Sequence, residues 1–150
     1  MRKIWDIHGG IHPAENKHQS LLKPIENAGI PAQLILPLAQ HIGAPASPIV
    51  NVGERVLKGQ MIAEAKGFVS APVHAPTSGT IAAIESRVIP HPSGMSANCI
   101  VIDTDGKDEW IDHHGVEDYS ALSKLDLVDR IRQAGIAGMG GAGFPAAVKL

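Results

Sequence analysis

Apolar and polar positions follow three different rhythms along this chain. Between residues 49 and 103 the apolar residues come in short runs between turns, at spacings of roughly 8–12 positions, which is the pattern of an all-β region. The runs Ile49-Val50-Asn51-Val52, Arg55-Val56-Leu57, Met61-Ile62-Ala63, Thr80-Ile81-Ala82-Ala83-Ile84 and Asn98-Cys99-Ile100-Val101-Ile102 read as strands. Turns fall at Gly53-Glu54, Lys58-Gly59, Ser78-Gly79 and Asp103-Thr104-Asp105-Gly106, with a loop over 90–96. Ala71-Pro72-Val73-His74-Ala75-Pro76 contains two prolines, each removing a ladder donor, so this piece reads as an edge or bulged strand. A further run, Leu34-Ile35-Leu36-Pro37-Leu38, predicts a buried strand ending near Pro37.

The flanks differ. Residues 1–33 are punctuated by Gly9-Gly10, Pro13, Pro24, Gly29 and Pro31 and read as an extended arm. Residues 107–122 form a polar connector holding Trp110 and His113-His114. A helix follows, capped by Ser123, with Asp126 as a shorter version of the capping-box acid. Leu127, Val128, Ile131 and Ala134 make its apolar stripe, Asp126, Asp129, Arg130 and Arg132 mostly face away, and Gly135 suits the position that ends it. The chain thus divides into an arm (1–33), a β module (34–106), a connector (107–122) and the start of a further unit (123–150).

Composition narrows the function classes. Apolar residues are 44% and charged residues 19% of 150, so the chain is globular, with a core of Val, Ile, Leu and Ala because only 3% is aromatic. A net charge of −2 gives no electrostatic reason to expect nucleic acid. No apolar run reaches the ~18 residues of a membrane span, and the N-terminus lacks a secretory h-region. The single cysteine, Cys99, excludes an internal disulfide or a Cys-based cluster in this stretch and fits a reducing, cytoplasmic setting.

The richest chemistry lies at the end, in Gly135-Ile-Ala-Gly-Met-Gly-Gly-Ala-Gly-Phe-Pro-Ala-Ala-Val-Lys-Leu150. Glycines can bring several backbone N–H groups to one point, as phosphate binding requires. Pro145 is placed to open a helix, with Lys149 about one turn into it. Gly138, Gly140 and Gly143 satisfy G-x-G-x-x-G, but the preceding segment is helical rather than a strand, which argues against a dinucleotide fingerprint. A Walker loop is excluded by the missing Gly-Lys-Ser/Thr ending, and a flexible linker would not continue into Phe144-Pro145 and an apolar helical pattern.

The whole string Gly-Met-Gly-Gly-Ala-Gly-Phe-Pro, with Lys149 four beyond the proline, resembles the FMN-binding loop of the flavoprotein subunit of respiratory complex I. It is closer to the equivalent loop in the C subunit of the Rnf-type ion-translocating ferredoxin:NAD⁺ oxidoreductases, since Met139 stands where complex I usually has Arg. Gly9-Gly10-Ile11-His12-Pro13 with Lys17, residues 36–43 (Leu-Pro-Leu-Ala-Gln-His-Ile-Gly) and residues 74–80 (His-Ala-Pro-Thr-Ser-Gly-Thr) resemble further signatures of that Rnf subunit. The resemblance implies a mainly β fold: a barrel-sandwich hybrid like biotinyl and lipoyl carriers, then a helix and the start of an α/β FMN-binding domain. It implies Gly138, Gly140, Gly141 and Lys149 as cofactor-binding positions, with no catalytic or metal-ligating residue here. It implies FMN as cofactor, [4Fe–4S] clusters in the rest of a longer chain, and NAD(H), ferredoxin and the other subunits of the complex as partners. The expected location is peripheral, at the cytoplasmic face of the inner membrane. Most of the flavin pocket is expected beyond Leu150, so the 150-residue piece should bind FMN poorly.

A rival reading comes from the same fold: a non-catalytic carrier or docking module, with Lys66 in Glu64-Ala65-Lys66-Gly67 as the modified residue. Carriers place that lysine in a symmetric strand–turn–strand, which Gly67 breaks. The other tempting residues read as structural. His113-His114 has no ligand at metal spacing, and Gly9-Gly10 separates His8 from His12. His74 suits a hydrogen-bonding role, Cys99 a buried thiol, and Ser78 has no readable His/Asp partner.

Overall fold

The computed structural model describes residues 9–10 and 13–150; the candidate pair His8 and His12 lies outside the described residues. Its framework is a long hairpin. Strand β6 (Gly79–Val88) and strand β7 (Ser96–Thr104) pair antiparallel, and β1 (Gln33–Pro37) lies on the far side of β7. With β3 (Arg55–Val56) they make a four-stranded sheet in the order β1-β7-β6-β3. A smaller sheet, β2-β4-β5, joins Ser47–Pro48, Met61–Glu64 and Val73–His74.

One apolar core lies between the sheets, built from Leu38, Val50, Val56, Ile62, Ile81, Ile100 and Ile102 with smaller residues between them. Two bulges fit the sequence to it. Ile81 and Ile84 are three apart, an odd spacing for a strand, yet they pair with Ile102 and Ile100 and both pack on the core; a register shift between Ile81 and Ala83 absorbs the extra residue. A similar shift between Met61 and Ala63 places the extra residue, Ile62, in β4 and puts the consecutive residues Ile62 and Ala63 into the core; its proline-flanked partner β5 is an edge strand, as expected.

Two expected elements differ. The run 49–52 is not a strand: pairing passes through Ser47–Pro48 and ends where the Ile49 N–H donates to the Ile62 carbonyl. Of its apolar residues only Val50 is buried, so the run has no single face to offer a sheet. Ser78-Gly79 is not an exposed turn but the buried entry to β6, where Gly79 pairs with both Val56 and Thr104. Glycine is obligatory there, because an added Cβ would stand 2.3 Å from the Asp103 carbonyl oxygen.

The polar connector is fastened to the module. The buried Ser78 hydroxyl donates to Asp105 Oδ1 at 2.6 Å and accepts the Glu109 N–H at 2.9 Å. Thr77 and Lys58 both hold Asp108, and the Lys58 ammonium sits 4.6 Å from the Trp110 ring centroid. A backbone bridge between Lys58 and Trp110 completes the join. The described arm residues 13–32 are exposed and, apart from a turn near 18–21, irregular.

Helix α1 (Lys124–Gln133) starts at Ser123, whose Oγ accepts the Asp126 N–H at 3.2 Å. The Asp126 carboxylate accepts from the Ser123 hydroxyl rather than reaching the capping backbone N–H, a consequence of its short side chain. At the other end Gly135, with φ +68°, donates its N–H to the Arg132 carbonyl and Ile136 donates to Ile131, a Schellman closure. Leu127, Val128 and Ile131 are half-buried, but Ala134 is exposed and Arg132 half-buried. Arg132 faces the module, its guanidinium donating to the Phe68 carbonyl at 3.1 Å.

Candidate functional site

The glycine string folds into a closed loop rather than a tail. Ala137 and Pro145 form an antiparallel bridge, the Gly138 N–H donates to the Phe144 carbonyl at 2.8 Å, and the Gly143 N–H donates to the Gly140 carbonyl at 3.1 Å. Ala146 then donates to Ile136 at 2.9 Å, closing the base. Pro145 begins only a single 3₁₀ turn, Ala146–Val148, with Lys149 at its C-cap, so the expected helix is one turn long in the described chain.

This loop leans on the module. The Ile42 N–H lies 3.3 Å from the carbonyls of both Ala142 and Gly143, which ties it to the segment leaving β1. That segment is in turn latched by His41 to the loop that leads into β5. The Ala71 N–H donates to His41 Nε2 at 3.0 Å, so Nδ1 carries the proton and donates to the Ile42 carbonyl at 2.9 Å.

Between loop and module lies a cavity of about 880 Å³. Gly138, Gly140 and Gly141 line one side; Gln40, His41 and His74 line the other. Among the described residues neither a carboxylate nor a lysine or arginine is on its wall. Lys149 does not line it: its ammonium lies 5.1 Å from the centroid of the Phe144 ring, beside the loop's base.

The glycines are of two kinds. Gly143, at φ +52° with the Gln40 carbonyl 3.2 Å from where a Cβ would stand, and Gly135 are required by the fold itself. Gly140 and Gly141 are not, for neither has a positive φ and an added Cβ on either would meet nothing within 4 Å. Among the described residues the N–H groups of Gly140, Gly141 and Ala142 donate to no backbone carbonyl.

Residues 5–107 match the model of the RnfC barrel sandwich hybrid domain. The chain belongs to the RnfC family. Its β architecture is therefore the RnfC barrel-sandwich hybrid, as the sequence resemblance implied. Over 99% of its length it is 54% identical to a Vibrio cholerae protein, 50% to one from Serratia proteamaculans and 49% to one from Klebsiella pneumoniae, each named as the C subunit of an ion-translocating oxidoreductase complex. The chain spans about a fifth of the length of these RnfC relatives, 19% to 21%.

The remaining candidates fall outside the cavity. Lys66 is an exposed residue in the loop between β4 and β5, and its backbone N–H donates to Ser70 Oγ; it does not stand at a symmetric hairpin. Ser78 is spent on Asp105 and Glu109, and Cys99 is fully buried, where desolvation pushes its thiol pKa up. His113 stacks near Trp110 at 4.8 Å between ring centroids. Among the described residues no group of three metal-ligating side chains comes together, and no helix is long and apolar enough to cross a membrane. Sequence reasoning assigned no site role to Gln40, His41 or His74, although both histidines stand in motifs that it singled out.

Proposed function

We propose that the glycine loop and the module face beneath it form one edge of an FMN site in the RnfC subunit of an ion-translocating oxidoreductase complex. The observation that carries this reading is the pair Gly140 and Gly141. Nothing among the described residues needs glycine at either position, whereas a ligand lying against the backbone does. Their free N–H groups suit a phosphate, and the cavity falls within the range of about 300–1,000 Å³ typical of small-molecule sites. Lys149, exposed beside the loop, supplies the positive charge that the cavity wall lacks.

When bound, FMN supplies the redox chemistry, exchanging electron pairs with nicotinamide and single electrons with one-electron carriers. This chain's residues bind and orient: Gly138, Gly140 and Gly141 let the cofactor approach the main chain, and the module holds the loop in place. The [4Fe–4S] clusters belong to other parts of the RnfC protein, since four thiolates are needed and this chain has one cysteine. NAD(H), ferredoxin and the other proteins of the complex make up the rest of the electron path, with RnfC held peripherally at the inner membrane's cytoplasmic face.

Flavin fluorescence titration of full-length RnfC tests the proposal. Gly140→Val should weaken FMN binding at least about tenfold, a loss of about 1.4 kcal/mol, with no change in the unfolding midpoint. Wild-type affinity in that variant would overturn it.

A further inference from the structure

The second wall of the cavity belongs to the β module, and its polar groups are not equivalent. His41 has both ring nitrogens engaged by backbone, and the Gln40 side-chain amide donates to the Pro37 carbonyl at 3.0 Å. His74 is different. It is half-buried, it lines the cavity, and among the described residues its ring makes no hydrogen bond to a side chain. Among the described residues the Gln133 backbone is the polar group that acts on it, and it has no side-chain partner. Pro72 and Pro76 flank the edge strand that carries His74, and Gly135 packs against it, an added Cβ there falling 3.1 Å from Nδ1. Its position is thus fixed by its neighbours while the residue lines the cavity.

We infer that His74 contacts the bound ligand directly, accepting a hydrogen bond from an uncharged donor of the flavin, a ring N–H or a ribityl hydroxyl, rather than binding its phosphate. The inference rests on the FMN reading and adds a residue that the loop motif does not contain. The phosphate belongs with the opposite wall, where the unused N–H groups are. Burial holds the His74 imidazole below the ordinary histidine pKa, only partly offset by the backbone of Gln133. The ring is therefore neutral at neutral pH, with one donor and one acceptor nitrogen. The acceptor nitrogen matches an N–H or a hydroxyl and has nothing to offer a phosphate oxygen. The barrel-sandwich module then takes part in recognition as well as support.

The test compares FMN with riboflavin, which lacks the phosphate, in titrations of full-length RnfC. His74→Ala should weaken both flavins by the same factor, about 3- to 10-fold for one neutral hydrogen bond, and His74→Gln should restore most of the loss. Should His74→Ala fold poorly, His74→Leu fills the space without a polar atom and should show the same equal loss. Unchanged affinity for both flavins would overturn the assignment, as would a loss confined to FMN, which would place His74 at the phosphate. Gly140→Val separates the flavin site from the role of His74 within it. If it weakens FMN binding while His74→Ala does not, the loop site stands and only His74 is removed. Wild-type FMN binding in Gly140→Val removes the flavin reading itself.

Discussion

Gly135 and Pro72 meet at the point where helix α1 comes to rest on the β module: a Cβ on Gly135 would stand 2.8 Å from the Pro72 carbonyl oxygen. The same glycine ends the helix at φ +68° and abuts His74. One residue therefore sets the helix end, the approach of two elements and the entry to the glycine loop. Gly135→Ala should cost about 1–3 kcal/mol from the left-handed backbone alone, and the Pro72 contact adds to this. Because α1 has no fully buried residue, the loss should be local. Amide exchange should speed up across 123–146 while strand β7 keeps its protection; equal loss in both would show that the helix and module unfold as one.

The buried Ser78 hydroxyl is the pin between β6 and the connector. Ser78→Ala leaves the Glu109 N–H and one Asp105 oxygen without their partner and should destabilise the chain by about 1–3 kcal/mol. Urea unfolding measures this directly. A change within error would mean that solvent replaces the hydroxyl at no cost.

Acid should weaken the same join. The Ser78 hydroxyl first, then the Lys107 N–H and Arg55, hold the Asp105 carboxyl below the ordinary carboxylate pKa. Lys58 and then Thr77 do the same for Asp108. A lowered folded pKa means that the unfolded chain binds more protons, so stability rises with pH. The contribution is complete above the ordinary value of about 3.9 and is lost as pH falls through the lower folded values. Asp105→Asn should therefore flatten the acid limb of the unfolding midpoint, and an unchanged limb would contradict the assignment.

Much of the fold could be read from residue patterns. Short apolar runs between glycine turns marked β6 and β7, and two prolines around Val73-His74 marked the edge strand β5. Ser123 and Gly135 marked both ends of α1. The failures have physical causes. Ser78-Gly79 looks like turn chemistry, but a missing Cβ also serves a close crossing of strands, and local sequence does not distinguish the two. Ile49 and Val52 look like strand residues, yet both are exposed, because only tertiary pairing decides which face of so short a run is covered.

The candidate site was legible on one side only. Five glycines within nine positions announce close backbone approach, but they do not say what approaches. The fold sorts them into two kinds. Gly143 makes room for the Gln40 backbone, whereas Gly140 and Gly141 make room for nothing among the described residues. The module wall was hidden because His74 is about sixty residues from the loop and reaches it only through the fold.

The central claim, that the free N–H groups of this loop receive a phosphate, is tested most directly by amide exchange over residues 138–143 of full-length RnfC with and without flavin. FMN should slow exchange at Gly140, Gly141 and Ala142 strongly, and riboflavin, lacking the phosphate, should slow it far less. Exchange at these positions that is the same with and without FMN would contradict the account.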